Sequence, residues 1–343
     1  MRVSGVDVEI HWTLAALLAL FLVFGGLDAA VFAVVLFGSV VIHELCHSLL
    51  AKRYRVPVSR IILVPIGGIS VIDDFSMPPE TELRVSLAGP ASSLLIASAA
   101  LAVSLLPPFA PVAGFAAQVA QINFILGAFN LVPALPLDGG RAWRALKQRT
   151  ESHYAATRDS VRLSKTLVLL FVLLTAAASV FVDSLSLLVW NGVIALFVYF
   201  GADAELEMAQ LQAASGGLRV ADAMRKKAAA VPADETVRRA FELALQNRSE
   251  SLLVSGGSKN AAYRIARVGD FALVPRNAWA RTPIGSVAVP VPGFGPGDGL
   301  FSAWKRMRSA DAPIAPVLEG GRLAGELRAS DVERLLYIRR IAL

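Results

Sequence analysis

A chain of 343 residues in which 55% are hydrophobic and only 17% charged is too apolar for an ordinary soluble protein, where about 25% of residues are charged. Its net charge of +6 does not indicate a nucleic-acid partner, because Lys and Arg are absent from 12–51, 85–140 and 166–218 and crowd the stretches between. That alternation is the charge pattern of a polytopic α-helical membrane protein in contact with the lipid bilayer.

Residues 1–11 alternate in a strand-like way through Val3, Val6, Val8 and Ile10. A first span is expected over Trp12–Gly26, retained rather than cleaved as a signal peptide. The second, about Ala30–Ala51, ends at Lys52-Arg53-Tyr54-Arg55, which marks the cytoplasmic side. Arg60–Asp73 is too short to span, is rich in β-branched residues and is interrupted by Pro65 and Gly67-Gly68. It reads as a β-hairpin, either dipping into the membrane under protein cover or lying at the interface.

A third span over Leu83–Leu106 carries Gly89-Pro90 and Ser93 and stops at Pro107-Pro108. The fourth, Val112–Leu131, holds Gln118, Gln121, Asn123 and Asn130, so one face should look inward. Pro133 and Pro136 then hold the chain extended before Asp138-Gly139-Gly140. A basic segment with seven Lys or Arg, Arg141–Lys165, leads to spans over Thr166–Val182 and Leu185–Gly201, joined at Asp183-Ser184. Six spans across a cell membrane with both termini cytoplasmic put 52–84 and 141–165 on the cytoplasmic side, and leave the external turns near 26–30, 107–111 and 183–184 free of Lys and Arg.

Three segments are therefore expected: 1–202 in the membrane, an acidic helical linker over 203–217, and 218–343 as an α/β domain outside it, with halves 218–280 and 281–343. Twenty of the 33 Lys and Arg lie in 218–343. The halves repeat a pattern: Thr236-Val237 and Gly299-Leu300 each open a helix, and Ser251–Val254 and Ala315–Leu318 each read as the strand that follows.

Chemistry concentrates in the second span, at His43-Glu44-Leu45-Cys46-His47. On a helix, two histidines four residues apart share a face with Glu44 beside them, the HExxH arrangement of two zinc ligands and a general base. A chance pair is the alternative, but ionisable groups deep in a span are costly and functional by default. Cys46 lies about 100° round the helix from His47 and reads as a small packing residue. Catalytic zinc needs a third protein ligand. His11 and His153 are poorly placed, whereas Asp138 leaves the fourth span at the depth of His43 and His47; it is the expected third ligand, or else caps the turn before Gly139. Asn130 is either a hydrogen-bond donor to the substrate carbonyl or an interhelical contact.

The set His43-Glu-Leu-Cys-His47, Gly67-Gly68, Ala88-Gly89-Pro90 and Asn130-Leu-Val-Pro-Ala-Leu-Pro-Leu-Asp138-Gly-Gly resembles the site-2 protease family of intramembrane zinc metalloproteases over about residues 5–200. The resemblance implies one Zn2+ on His43, His47 and Asp138, Glu44 as catalytic residue, and a membrane-embedded hairpin that receives substrate as an added strand. It also implies a substrate that is a membrane protein with a helix-destabilised transmembrane segment. Ser93 departs from the family's frequent Asn at that position. Residues 218–343 resemble a CBS-domain pair, which implies adenine-nucleotide binding at Asp331 and Asp270, or homodimerisation. Arg328 and Arg267 stand where that module usually has Thr or Ser. The alternative functions are a CBS-regulated transporter or channel, or an inactive scaffold. The first would need repeat symmetry or a polar through-path, and the spans show neither.

Overall fold

The computed structural model describes residues 2–3, 6–64, 67–72, 77–107, 112–182, 184–256 and 263–342. The chain divides into two compact units, Met1–Ala209 and Gln210–Leu343.

In the first unit, β1 (Arg2–Val3) and β2 (Val6–Ile10) precede α1 (Trp12–Arg53). The 42 residues of α1 would extend about 63 Å, twice a bilayer's hydrocarbon thickness. The helix is not continuous, however: Gly26 adopts φ +69°, a conformation that glycine reaches without steric cost, and separates two arms at the boundary expected between the first two spans. Strands β3 (Val58–Val64) and β4 (Gly67–Ile72) pair antiparallel, and β2 joins them by running parallel to β3. Val8, Ile61 and Leu63 of this sheet form a core with Leu14, Phe37 and Val40 of α1. Pro65 and Asp73, named above in the hairpin, lie outside the described residues, as does Pro108.

Helix α2 (Pro79–Leu105) packs against α1, α3 (Ala113–Asn130) and α4 (Asp138–Lys147). Small residues on its buried face, Ser86, Gly89 and Ser93, let the neighbouring backbones approach. The inward face expected of α3 is narrower than its amides suggested. Asn123 is buried and donates from Nδ2 to Ser39 Oγ of α1 at 2.9 Å, Gln118 and Asn130 are half-buried, and Gln121 is exposed. Helices α5 (His153–Val182) and α6 (Leu185–Ala214) follow. Asp183, expected in the turn between them, lies outside the described residues. The stretch 203–214 continues α6 as helix, and the boundary between the two units falls within it.

Among the described residues, Trp12–Arg53, Pro79–Leu105 and His153–Phe181 are long and apolar enough to cross a membrane. Leu20, Phe24, Leu95, Phe124, Leu173, Trp190 and Phe197 are exposed on the first unit. So much apolar side chain at the surface is what lipid contact requires.

The second unit contains α7 (Val220–Ala223), β5 (Ala230–Pro232), α8 (Val237–Gln246), β6 (Ser251–Ser255), β7 (Arg264–Arg267), β8 (Val289–Pro290), α9 (Leu300–Ser309), β9 (Ile314–Glu319), β10 (Arg322–Arg328) and α10 (Ala329–Arg340). Helix then strand pair recurs as α8-β6-β7 and α9-β9-β10, the internal repeat seen in the sequence. Thr236 caps α8 by accepting from Arg239 N at 3.2 Å, and Gly320 and Gly321, both at positive φ, turn β9 into β10. The halves differ at their ends. Asp331 lies in the first turn of a 12-residue α-helix, whereas Asp270 sits in a short 3-10 helix, Val268–Leu273, because Pro275 disfavours helical backbone at Val274 and blocks extension.

Candidate functional site

His43 and His47 lie one turn apart on the inward face of α1, and both are nearly inaccessible, at 3% and 6% exposure. Asp138, in the first turn of α4, reaches them from the other side of the site: its Oδ2 is 3.0 Å from His43 Nε2 and 3.1 Å from His47 Nε2. The three side chains bring their ligand atoms within 4.8 Å of one another.

The outer ring nitrogens are also held. His47 Nδ1 lies 2.7 Å from the carbonyl oxygen of Val85, which can only accept, so Nδ1 carries the proton and Nε2 is left with its lone pair when the ring is neutral. His43 Nδ1 is 2.9 Å from Ser93 Oγ. Two imidazole nitrogens and a carboxylate oxygen converging in one buried space repel each other unless a proton or a metal ion lies between them. This donor set is the one that suits catalytic zinc; the Val85 carbonyl fixes for His47 the tautomer that such a ligand needs, and the Ser93 hydroxyl holds the orientation of the His43 ring.

The backbone makes room for the cluster. A Cβ at Gly89 of α2 would lie 2.5 Å from His43 Nε2 and closer still to His47 Nε2. At Gly139 and Gly140, Cβ atoms would fall inside 3.0 Å of backbone atoms of Leu131, Val132, Ala134 and Leu135. These two glycines press the start of α4 against the segment after α3, and this packing sets the position of Asp138.

A second polar cluster lies between α2, α4 and α6. Arg144, only 2% exposed, donates from Nε and Nη2 to Glu82 Oε1 at 2.8 and 2.5 Å and from Nη1 to Glu205 Oε2 at 2.7 Å. Arg141 Nη2 donates to Glu205 Oε1 at 3.0 Å, and Gln148 Nε2 to Glu82 Oε2 at 2.6 Å. Burial pushes the Glu205 carboxyl up, but the Arg141 and Arg144 guanidiniums overcome it and hold the group well below the usual carboxylate range.

The remaining expected residues are placed differently. Glu44 is half-buried beside His43 on α1 and stands outside the three-residue cluster. Asn130 closes α3, and its Nδ2 donates to Leu126 O at 2.9 Å, a bond within its own helix rather than one between helices. His11 caps α1, and His153 Nδ1 is 3.1 Å from Gln148 Oε1, so neither joins the cluster. In the second unit Asp331 is held by Arg225, whose Nε and Nη2 donate at 2.6 and 2.9 Å. Asp270 lines an open cavity of about 690 Å³ together with Arg267, Arg308 and Asp311.

Sequence reasoning missed Val85, the contact of Ser93 with His43 and the Glu82–Arg144–Glu205 cluster. One signal was available for the first two: Val85, Gly89 and Ser93 recur every four residues along a single face of α2.

The model of peptidase family M50 matches residues 31–118 and 108–174, which include His43, His47 and Asp138. "Putative zinc metalloprotease Rip3" of Mycobacterium tuberculosis is 30% identical over 374 aligned positions, covering 99% of this chain and 93% of that protein. The chain belongs to the site-2 protease family, peptidase family M50. It is accordingly a zinc metalloendopeptidase of the site-2 type and a multi-pass membrane protein. A solved site-2 protease from Methanocaldococcus jannaschii is 32% identical, covers 60% of this chain and 93% of its own, and superposes with a TM-score of 0.45. The CBS domain of a bacterial CNNM/CorC family Mg2+ transporter, solved in complex with ATP, is 19% identical and covers 39% of this chain and 97% of its own, with a TM-score of 0.34.

Proposed function

We propose that this site-2 protease holds one zinc ion on His43 Nε2, His47 Nε2 and Asp138 Oδ2 and uses Glu44 to hydrolyse a peptide bond of a membrane protein below the bilayer surface. The observation that carries the reading is the convergence of these three ligand atoms within 4.8 Å on buried side chains of α1 and α4. Zinc held there supplies Lewis acidity towards water and a substrate carbonyl. Glu44 accepts the proton of the attacking water at its carboxylate and delivers it to the leaving amine nitrogen. Val85 O and Ser93 Oγ keep the imidazoles turned towards the ion, and Gly89 leaves the space open. Asn130 remains a candidate to meet the substrate carbonyl once its side chain leaves Leu126 O.

A peptide bond inside a helix is shielded by its own i to i−4 hydrogen bonds, so a substrate with helix-breaking residues near the cut is expected. The unwound segment would add as a strand beside β4, whose far edge is unpaired in the described sheet. The basic exit at Lys52-Arg53 supports a site nearer the cytoplasm, and the alternation of basic and uncharged loops supports six spans with both termini inside. The test is cleavage of a membrane-helix fusion by the intact chain in detergent. Loss of cleavage on chelation and its return with zinc are expected, and cleavage indifferent to chelator would refute the reading.

The second unit we read as a CBS pair that regulates the protease by binding adenine nucleotide in the cavity beside Asp270, with dimerisation as its other use. A volume of about 690 Å³ suits a small ligand; Arg308 and Arg267 line it, and Arg267 would meet a phosphate only on releasing Asp311, with Glu250 and Asp270 also in the lining. Asp331 would bind ribose only on releasing Arg225. Binding of ATP, ADP or AMP should raise the melting temperature of the full chain by a few degrees; no shift with any of the three at millimolar concentration would rule this role out.

A further inference from the structure

We infer that Glu82, Arg144 and Glu205 form a frame that positions Asp138 for the metal, so that one helix, α2, orients all three ligands. The inference rests on the zinc site proposed above. Helix α2 touches both imidazoles directly, through Val85 O to His47 and Ser93 Oγ to His43. Three residues before Val85, the same helix presents Glu82, and Glu82 grips Arg144 of the helix that begins with Asp138.

The grip is directional. Arg144 is a planar fork with two nitrogens on Glu82 Oε1 and a third on Glu205 Oε2, which fixes both the translation and the rotation of α4 about its axis. Gln148 on Glu82 and Arg141 on Glu205 add one further bond each, one turn to either side of Arg144. Over the six residues from Asp138 to Arg144, α4 rises about 9 Å, so a tilt of the helix at the frame is carried to the carboxylate with little loss. Gly139 and Gly140 supply the opposing contact, backbone on backbone, against 131–135. Between a stop at one end and a charged fork at the other, Asp138 has one place to stand.

These are positioning residues, not catalytic ones: none is a member of the three-ligand cluster. The frame should therefore act on zinc only through Asp138, and that gives a test independent of proteolysis. Zinc affinity is measured by chelator competition on the full chain in detergent, for Glu205→Gln and Glu82→Gln, each alone and combined with Asp138→Asn. Loss of a group bonded directly to a metal ligand costs about 10–100-fold in metal affinity, and the frame, which acts one step further out, falls at the lower end of that range. At least about a tenfold loss is expected for each single variant, and no further loss when it is added to Asp138→Asn.

Asp203→Asn serves as control. Asp203 lies on α6 like Glu205, and the substitution removes only its partly exposed ion pair with Lys165 of α5, so zinc affinity should stay unchanged. If Glu205→Gln does not fold, Glu205→Asp, which keeps the charge but withdraws it by one methylene, is read in the same way. Equal losses with and without Asp138, or unchanged affinity in folded Glu82 and Glu205 variants, would overturn the frame. Absence of zinc from the intact chain would instead overturn the site itself, so the two failures are distinguishable.

Discussion

Glu44→Gln should reduce cleavage by about 10²–10⁴-fold while the protein keeps its zinc and its fold. The substitution is isosteric, and the residue stands outside the cluster of ligand atoms, so neither metal affinity nor packing has reason to change. What is lost is a group that can accept a proton from water and hand it to the departing amine; a carboxamide can do neither. Single-turnover cleavage of a membrane-helix fusion, run beside the intact chain, separates this from a binding defect. Unchanged turnover in Glu44→Gln would remove Glu44 from the chemistry and require another base. A fall in activity matched by loss of zinc would make it a ligand or a structural support instead.

Gly89→Ala should cost zinc rather than stability. The new methyl group would enter the space between the two imidazoles, 2.5 Å from His43 Nε2 and nearer still to His47 Nε2. Neither ring can swing aside freely, because each is tied at Nδ1, one to Ser93 Oγ and the other to Val85 O. Relief has to come from displacing α1 against α2, and overpacking of this kind typically costs 1–3 kcal/mol. Alanine is also a better helix former than glycine by about 1 kcal/mol, which offsets part of that cost in the metal-free fold. Zinc affinity should therefore fall by at least about 10–100-fold, the scale of a disturbed ligand shell, while the metal-free protein loses no more than about 2 kcal/mol. Chelator competition and a melting curve measure the two quantities on one sample. Full zinc binding in Gly89→Ala would mean that the rings do not sit as described.

The candidate site residues were legible because their signals are local. His43, Glu44 and His47 fall within a single helical turn, and Asp138 is marked by the prolines and glycines around it. The supports were not legible, because each is a pairing between distant parts of the chain. Ser93, noted in the sequence only as a departure from the usual Asn, meets His43 across 50 residues. Arg144 reads in sequence as one of the seven positive charges of a cytoplasmic loop, yet it is buried between carboxylates 62 residues before it and 61 after. A charge count cannot distinguish a topology signal from an internal ion pair. Removing one member of such a buried pair costs about 3–5 kcal/mol, so this arginine has a structural task that its composition class conceals. Asp331 shows the same limit in the second unit: Arg328 beside it was visible as a departure, but Arg225, which occupies its carboxylate, lies 106 residues away.

The most direct measurement is zinc per chain, by elemental analysis of the purified intact protein and of the Glu44→Gln and Gly89→Ala variants. One zinc per chain is expected in the first two and far less in Gly89→Ala. An intact chain that purifies without zinc and takes none up on addition would contradict a zinc centre at His43, His47 and Asp138.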